Sequence, residues 1–485
     1  MADSIKNKTV KGLLWSGGEK FSMEIIHFII SVIVARLLMP SDYGAIGIMM
    51  VFTSFSMLFI DGGLTTALIQ KTNRTEDDFN TAFIYNLVVS VFVYLVLFLC
   101  SPLIANWYER PELTSLLRVL SLNLIISSFA SVQNTKLTIA MDFKKISIIS
   151  FVSGIASGVV SLIMAYSGFG VWALVFQQLV GYTMRALLLN IYSHWIPKLR
   201  FSKESFHELF SFGYKLILTN LLARVYSNLY PLIIGKLYPF KTLGYYTRGQ
   251  QYATLPQGIL NDMFLKVSFP AMSTIKNDNK RLYDAYRRYI TVSSSIIFPV
   301  MFLIIVLAKP LILVMLTVKW EPAYPFLQIF CLGKMFEHIS AINLNLLFVK
   351  GRSDLALKLE ILKKTVAITI LVISTFWGIW GICIGQTFYC ILATFLNSIY
   401  TKRIINLGYV KQVQDFGLSW LVALFSAALA YIPIFVLQNN YAQLVVCIIL
   451  FSLFYFIGSK WFNSITYNYC VVSINNTSVI KFLKC

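Results

Sequence analysis

Thirteen charged residues interrupt the long apolar runs of this chain, and any chemistry it performs is to be sought there. The cations are Lys20, Arg118, Arg185, Lys215, Arg224, Arg248, Lys266 and Lys334; the acids are Glu19, Glu24, Asp61, Asp262 and Glu337. A charge at mid-bilayer costs roughly 2.5–3.5 kcal/mol on insertion scales, so each is expected to face a partner or a watery cavity. Three pairs follow helical spacing: Lys20/Glu24 and Asp262/Lys266 at i,i+4, and Lys334/Glu337 at i,i+3. Setting them aside leaves Arg118, Arg185, Lys215, Arg224 and Arg248 against Glu19 and Asp61, a surplus of three positive charges. The simplest complement is a ligand that brings negative charge. A diphosphate or an acidic sugar fits, and Arg suits phosphate because its planar fork binds two oxygens at once.

Neighbouring residues sort these charges. Arg224 has Asn220 four before and Asn228 four after, on one helical face; Arg248 is followed by Gln251 and Tyr252; Arg185 shares a face with Gln178 and Tyr182. These three are expected to line a cavity. Lys215 lies near an inner end and fits either a cavity role or reach to the interface. Arg118 lies near an outer end, where its side chain is expected to extend to the headgroups. The first apolar run carries the stripe Ser16, Lys20, Glu24, His27 and Ser31. That stripe reads as a cavity wall that binds substrate or a coupling ion, or as a helix interface held by one ion pair. Glu24, His27, Asp61 and Asp262 are the candidates for ion coupling.

Other chemistry finds little support. There is no phosphate-binding glycine loop and no nucleophile elbow, and the four histidines (27, 194, 207 and 338) are dispersed. The seven cysteines lack metal-ligand or CxxC spacing and read as packing residues. Glu76-Asp77-Asp78 reads as a solvated acidic turn capping the next helix rather than a metal site. No catalytic residue, metal or cofactor is expected, and ATP hydrolysis is not.

The elements that must carry these residues follow from composition. Of 485 residues, 57% are apolar and 13% charged, with mean hydropathy +0.71. A soluble domain is about 45–50% apolar and about 25% charged, so the chain reads as a polytopic membrane protein. Fourteen runs are long enough for spans: about 12–38, 43–68, 80–106, 114–137, 146–167, 169–194, 209–237, 244–270, 288–308, 322–349, 361–378, 380–401, 416–437 and 441–459. Continuous apolar runs imply helices, giving an all-α fold. The first is expected to be an uncleaved helix rather than a signal peptide, because Glu19, Lys20 and Glu24 interrupt it.

Charge sets the orientation. Of 41 cations, 27 fall in alternate connections together with both termini; Arg36, Arg110, Lys236, Lys241, Lys309 and Lys319 fall on the other side. The positive-inside rule therefore places both termini in the cytoplasm.

The chain also repeats at about 200 residues. Arg36-Leu37 and Gly44 match Lys236-Leu237 and Gly244; Asp61 matches Asp262; Gly170-Val-Trp172, Gln178 and Tyr192 match Gly378-Ile-Trp380, Gln386 and Tyr400. The expected organisation is a six-helix lobe (1–195), a linker (196–208), a second six-helix lobe (209–403) and an accessory helix pair with tail (404–485). Parallel repeats of this kind place substrate between the lobes. Asp61-Gly62-Gly63 is expected to loosen the second helix, and Pro231, Pro256 and Pro299 to bend three others.

Several stretches resemble a known family. Ala35-Arg-Leu-Leu-Met-Pro-Ser-Asp-Tyr-Gly44, Ala67-Leu-Ile-Gln70, Pro102-Leu-Ile-Ala-Asn-Trp-Tyr108, Gly168-Phe-Gly-Val-Trp172 and Leu243-Gly-Tyr-Tyr-Thr-Arg-Gly249 are similar to O-antigen and exopolysaccharide flippases of the multidrug/oligosaccharidyl-lipid/polysaccharide exporter superfamily. The resemblance covers about residues 5–410. It implies a central cavity lined with basic residues from the first, seventh and eighth helices, which here offer Lys20, Lys215, Arg224 and Arg248. It implies undecaprenyl-diphosphate-linked oligosaccharide as substrate, moved between leaflets by alternating access under an ion gradient. The expected partners are that lipid-linked substrate, the bilayer, and a polymerase or other polysaccharide-assembly proteins, with no nucleic acid. Two rivals are a small-molecule or drug exporter of the same fold, which should carry an acidic cavity, and a membrane polysaccharide polymerase, which needs a large outer loop.

Overall fold

The computed structural model describes residues 26–61 and 63–462, and among these the chain is helical with no strand. It divides into two compact units, Met1–Gly244 and Tyr245–Cys485. The first holds α1 (Ile26–Leu37), α2 (Pro40–Asp61), α3 (Leu64–Gln70), α4 (Glu76–Trp107), α5 (Glu112–Leu120), α6 (Leu122–Ile139), α7 (Phe143–Tyr166), α8 (Trp172–Ser193), α9 (Lys203–Leu237) and the first turn of α10 (Phe240–Thr274). The second holds the rest of α10, then α11 (Asn279–Leu316), α12 (Tyr324–Lys334), α13 (Glu337–Val349), α14 (Ser353–Thr375), α15 (Gly378–Ile405), α16 (Tyr409–Tyr431), α17 (Pro433–Val436) and α18 (Asn440–Phe462).

Helices stand at each apolar run from residue 26 onward, but several extend beyond it. The run 288–308 becomes α11, Asn279–Leu316, because Asp278 caps its start: its Oδ1 accepts from the Lys280 and Arg281 backbone N–H groups at 3.1 and 3.0 Å. Hydropathy marks the lipid-facing stretch; caps mark where the helix ends. The expected break after Asp61 is present. Gly63 has φ +68° and starts α3, and a Cβ there would lie 2.7 Å from the Gly213 backbone of α9. Glycine is needed on both counts, conformation and close approach.

Among the described residues eight helices are long and apolar enough to cross a membrane. They are α2, α4, α5–α6, α7, α11, α15, α16–α17 and α18. For five of the six runs outside that count the cause is compositional; the sixth, α1, is described only over Ile26–Leu37. α8, α9, α10 and α14 carry charged and amide side chains along their length, and α12–α13 carries the Lys334–Glu337 pair.

In the first unit, α7 buries Ser153, Gly154, Ser157, Gly158, Ser161 and Ala165, a small-residue stripe that lets α8 and α1 approach closely. A Cβ on Gly158 would meet Ile30 of α1 at 2.2 Å, and one on Gly181 of α8 would meet Ser157 at 3.3 Å. α9, read from sequence as opening the second repeat, packs with α2, α3 and α4 of the first unit.

In the second unit α11 is the core. α12, α13, α16 and α18 pack around it, and it buries Ser293, Ser294, Ile297, Phe298, Met301 and Phe302. The C-terminal pair is tied down by polar contacts. Arg287 forks onto Asp415 of α16 (2.6–3.0 Å), and Tyr455 of α18 donates to the Ser295 carbonyl at 2.8 Å. The two repeat turns share a local conformation: Gly170 (φ +55°) precedes α8 and Gly378 (φ +71°) opens α15.

Candidate functional site

The cations that sequence spacing assigned to a cavity sit on the more polar helices. Arg185, on α8, is half-buried and donates from Nη2 to Asn134 Oδ1 of α6 at 3.3 Å. Arg224, on α9, is exposed; Asn228 one turn on donates to its carbonyl at 2.8 Å, which fixes the turn but leaves the guanidinium clear. Among the described residues no carboxylate pairs with either arginine. Arg248, on α10, is only 5% exposed, and its Nη1 donates to Gln251 Oε1 at 2.6 Å. Lys215 lies on α9 and Asp61 closes α2. Asp262 is half-buried and Lys266 exposed on α10, and His27 is exposed on α1. Lys20 and Glu24 lie outside the described residues. The structure brings Arg185 and Arg224 into no mutual hydrogen bond; they stand on α8 and α9 of the same unit.

Lys334 and Glu337 form the expected ion pair at 2.5 Å. Arg118 departs from its expectation. Its Nε donates to Ser101 Oγ (3.0 Å) and the Phe98 carbonyl (3.3 Å), and its guanidinium lies 4.1 Å over the Phe98 ring. Those partners on α4 hold it within the protein, where reach to the headgroups was expected.

A second charged cluster emerges in the first unit, at the start of α4. Glu76-Asp77-Asp78 does cap α4: the Thr75 hydroxyl accepts from the Asp78 N–H while Asp78 accepts from the Thr75 N–H, a capping box. Each acid also takes a cation. Lys71 bridges the fully buried Asp78 carboxylate (2.9 Å) and Glu208 at the start of α9 (2.7 Å). Glu76 accepts from Lys136 and from the Trp195 indole, both at 2.8 Å, and Arg200 lies 3.8 Å from Asp77. Burial by itself would lower the Lys71 pKa, but hydrogen bonds to Glu208 and Asp78 outweigh it and hold the ammonium above the usual lysine value. Backbone N–H groups of Lys198 and Ser202 donate to Asn80 and Thr81, so the α8–α9 connection is pinned across the start of α4. Three consecutive acids were the sequence signal; the partners of Glu76 are 60 and 119 residues distant and carry no local spacing.

In the second unit Asn343 is a buried hub. Its Oδ1 accepts from Tyr286 (3.1 Å), Thr401 (2.9 Å) and Gln412 (3.1 Å), and its Nδ2 donates to Gln412 Oε1 at 2.9 Å. His338 sits beside this core, with Nε2 3.0 Å from Ser294 Oγ and Nδ1 2.7 Å from the Met335 carbonyl. Both are satisfied polar groups that join helices, and neither presents a free face for catalysis.

With this geometry in hand, similarity to known proteins becomes informative. The polysaccharide biosynthesis protein family matches residues 33–325. The succinoglycan biosynthesis transport protein ExoT of Rhizobium meliloti is 25% identical, over 69% of this chain and 68% of its own. The lipopolysaccharide biosynthesis protein WzxC of Escherichia coli is 23% identical, over 90% of each chain. Among solved structures, the lipid II flippase MurJ in its inward closed conformation aligns with TM-score 0.74 at 16% identity, covering 92% of this chain and 99% of that one. An inward-facing multidrug resistance transporter of the MATE family, in the MOP superfamily, aligns with TM-score 0.62 at 16% identity, covering 79% of this chain and 94% of that one. The chain is thus a multi-pass membrane protein that belongs to the polysaccharide biosynthesis protein family and has the fold of the multidrug/oligosaccharidyl-lipid/polysaccharide exporter superfamily.

Proposed function

We propose that this protein is a flippase, not an enzyme, that carries undecaprenyl-diphosphate-linked oligosaccharide from the cytoplasmic to the periplasmic leaflet of a bacterial inner membrane. Both termini face the cytoplasm in this reading. The supporting observation is the pair of arginines on polar helices, Arg185 and Arg224, with no carboxylate partner among the described residues. A diphosphate would supply the missing charge through bidentate hydrogen bonds. The polyprenyl tail stays in lipid while the headgroup takes up Lys20, Arg185, Lys215, Arg224 and Arg248 in turn, and two six-helix lobes (1–195 and 209–403) rock around it. No bond is made or broken in the substrate, so the protein needs only charge complementarity and alternating access. Membership of a polysaccharide biosynthesis family favours this reading over drug export, for which a cationic wall is the wrong sign.

The test is reconstitution. Proteoliposomes holding the purified protein should move a fluorescent polyprenyl-diphosphate oligosaccharide between leaflets, and R185A/R224A should not. Unchanged flipping by that double variant, or efflux of cationic dyes in place of the lipid, would refute the proposal.

A further inference from the structure

The repeat places Gly44 and Gly244 at equivalent positions, five-residue turns that open α2 and α10 at Pro40 and Phe240. The structure makes the two turns reciprocal. A Cβ on Gly44 would lie 2.0 Å from the Phe240 carbonyl oxygen, and a Cβ on Gly244 would lie 1.9 Å from the Pro40 carbonyl oxygen. In each case the obstacle is backbone, which cannot swing aside as a flexible side chain can. Neither glycine has a left-handed φ. Close approach, not backbone conformation, therefore demands glycine at both positions.

The surroundings close this crossing to solvent. Tyr43, Ala45, Ile48 and Leu243 are buried around it. The Phe240 ring packs on Tyr108 at 6.1 Å and lies 5.4 Å beneath the Arg110 guanidinium. Lys236 donates to the Trp107 carbonyl (2.7 Å) and to Glu109 (3.3 Å), which ties the end of α9 to the end of α4. All these groups lie at the end that carries the few outer cations, Arg36, Arg110, Lys236 and Lys241.

We infer that the reciprocal Gly44–Phe240 and Gly244–Pro40 backbone contacts form the outer seal of the transport cycle, a contact that must part when substrate leaves toward the periplasm. The inference rests on the flippase reading for its purpose but not for its geometry. Two helix N-termini meet here with their positive dipole ends together, which disfavours the contact electrostatically. A seal whose fit depends on two missing Cβ atoms, with like poles opposed across it, can both close tightly and reopen. Any side chain at either glycine should prop it open.

The test uses a chain whose seven native cysteines are replaced by alanine and which carries Ala45→Cys beside the crossing. Intact cells are treated with a membrane-impermeant maleimide. With both glycines present the buried thiol should react slowly; G44A and G244A should each raise the rate about tenfold or more, because access limits a buried thiol. The control is G258A, on α10, where a Cβ meets nothing within 4 Å; it should leave labelling unchanged. Fast labelling of A45C alone, which needs no glycine variant to fold, would overturn the seal, as would unchanged labelling in G44A and G244A. Labelling requires no substrate. A seal that opens as stated in a protein that flips no lipid would overturn the proposed function and leave this inference standing.

Discussion

At the level of single residues, the polar neighbours of each intramembrane charge separate binding from structure. Arg224 is exposed and pairs with no carboxylate among the described residues, whereas Arg118 is held by Ser101, a carbonyl and an aromatic ring. The two should therefore fail differently. A charged hydrogen bond to a diphosphate is worth about 1.5–3 kcal/mol, so R224A should lower export at limiting substrate about ten- to hundredfold with normal membrane levels. Surface polymer measured against protein abundance checks this. R118A instead removes the charged hydrogen bonds to Ser101 and the Phe98 carbonyl of α4, at about 1.5–3 kcal/mol; it should lower the melting temperature in detergent while export per molecule is retained. Equal export defects per molecule would remove the distinction. Local spacing anticipated the Lys334–Glu337 contact because the two partners lie three residues apart. It misplaced Arg118, because Ser101 and Phe98 reach that residue from another helix.

At the level of elements, the start of α4 organises one end of the first unit. It receives Lys71 from the α3–α4 loop, Lys136 from α6, and the α8–α9 connection through Trp195, Lys198 and Ser202. K71M would strand the Asp78 carboxylate, whose side chain is fully buried. Breaking such a pair from one side costs about 3–5 kcal/mol when burial is complete, and Lys71 is itself partly exposed, so about 1–3 kcal/mol is expected. Adding D78N should recover much of the loss, read as thermal melts of K71M, D78N and the double variant. The Arg287–Asp415 pair should behave alike: D415N loosens α16 from α11, and limited proteolysis should then cut between α15 and α16 first.

For the whole molecule, the charge distribution makes a topological prediction. Cysteines placed at Lys144, Arg200, Lys276 and Arg352 should resist an impermeant reagent in intact cells and react in inverted vesicles. Those at Arg110, Lys241 and Lys319 should show the reverse. One helix more or fewer than the fourteen proposed would invert every position beyond it, so the experiment counts spans of which hydropathy alone marks eight among the described residues. Apart from α1, the helices outside that count carry polar faces, and a transporter cannot build a watery cavity from apolar faces alone.

Composition and periodicity by themselves determined that the chain is an all-helical membrane protein, where nearly every helix lies, and that positive charge is left over within it. These are one-dimensional properties: burial in lipid demands long apolar runs, and cations collect in the connections on one side. Spacing also located the break at Gly62-Gly63, since two glycines act locally. Tertiary structure alone decided which charges are matched. Lys71 finds Glu208 and Arg287 finds Asp415 across more than a hundred residues, and no sequence interval encodes those meetings. It alone gave Gly44 and Gly244 their meaning. In sequence they are two matching glycines; in space each holds a place where the other turn's carbonyl leaves no room for a carbon atom.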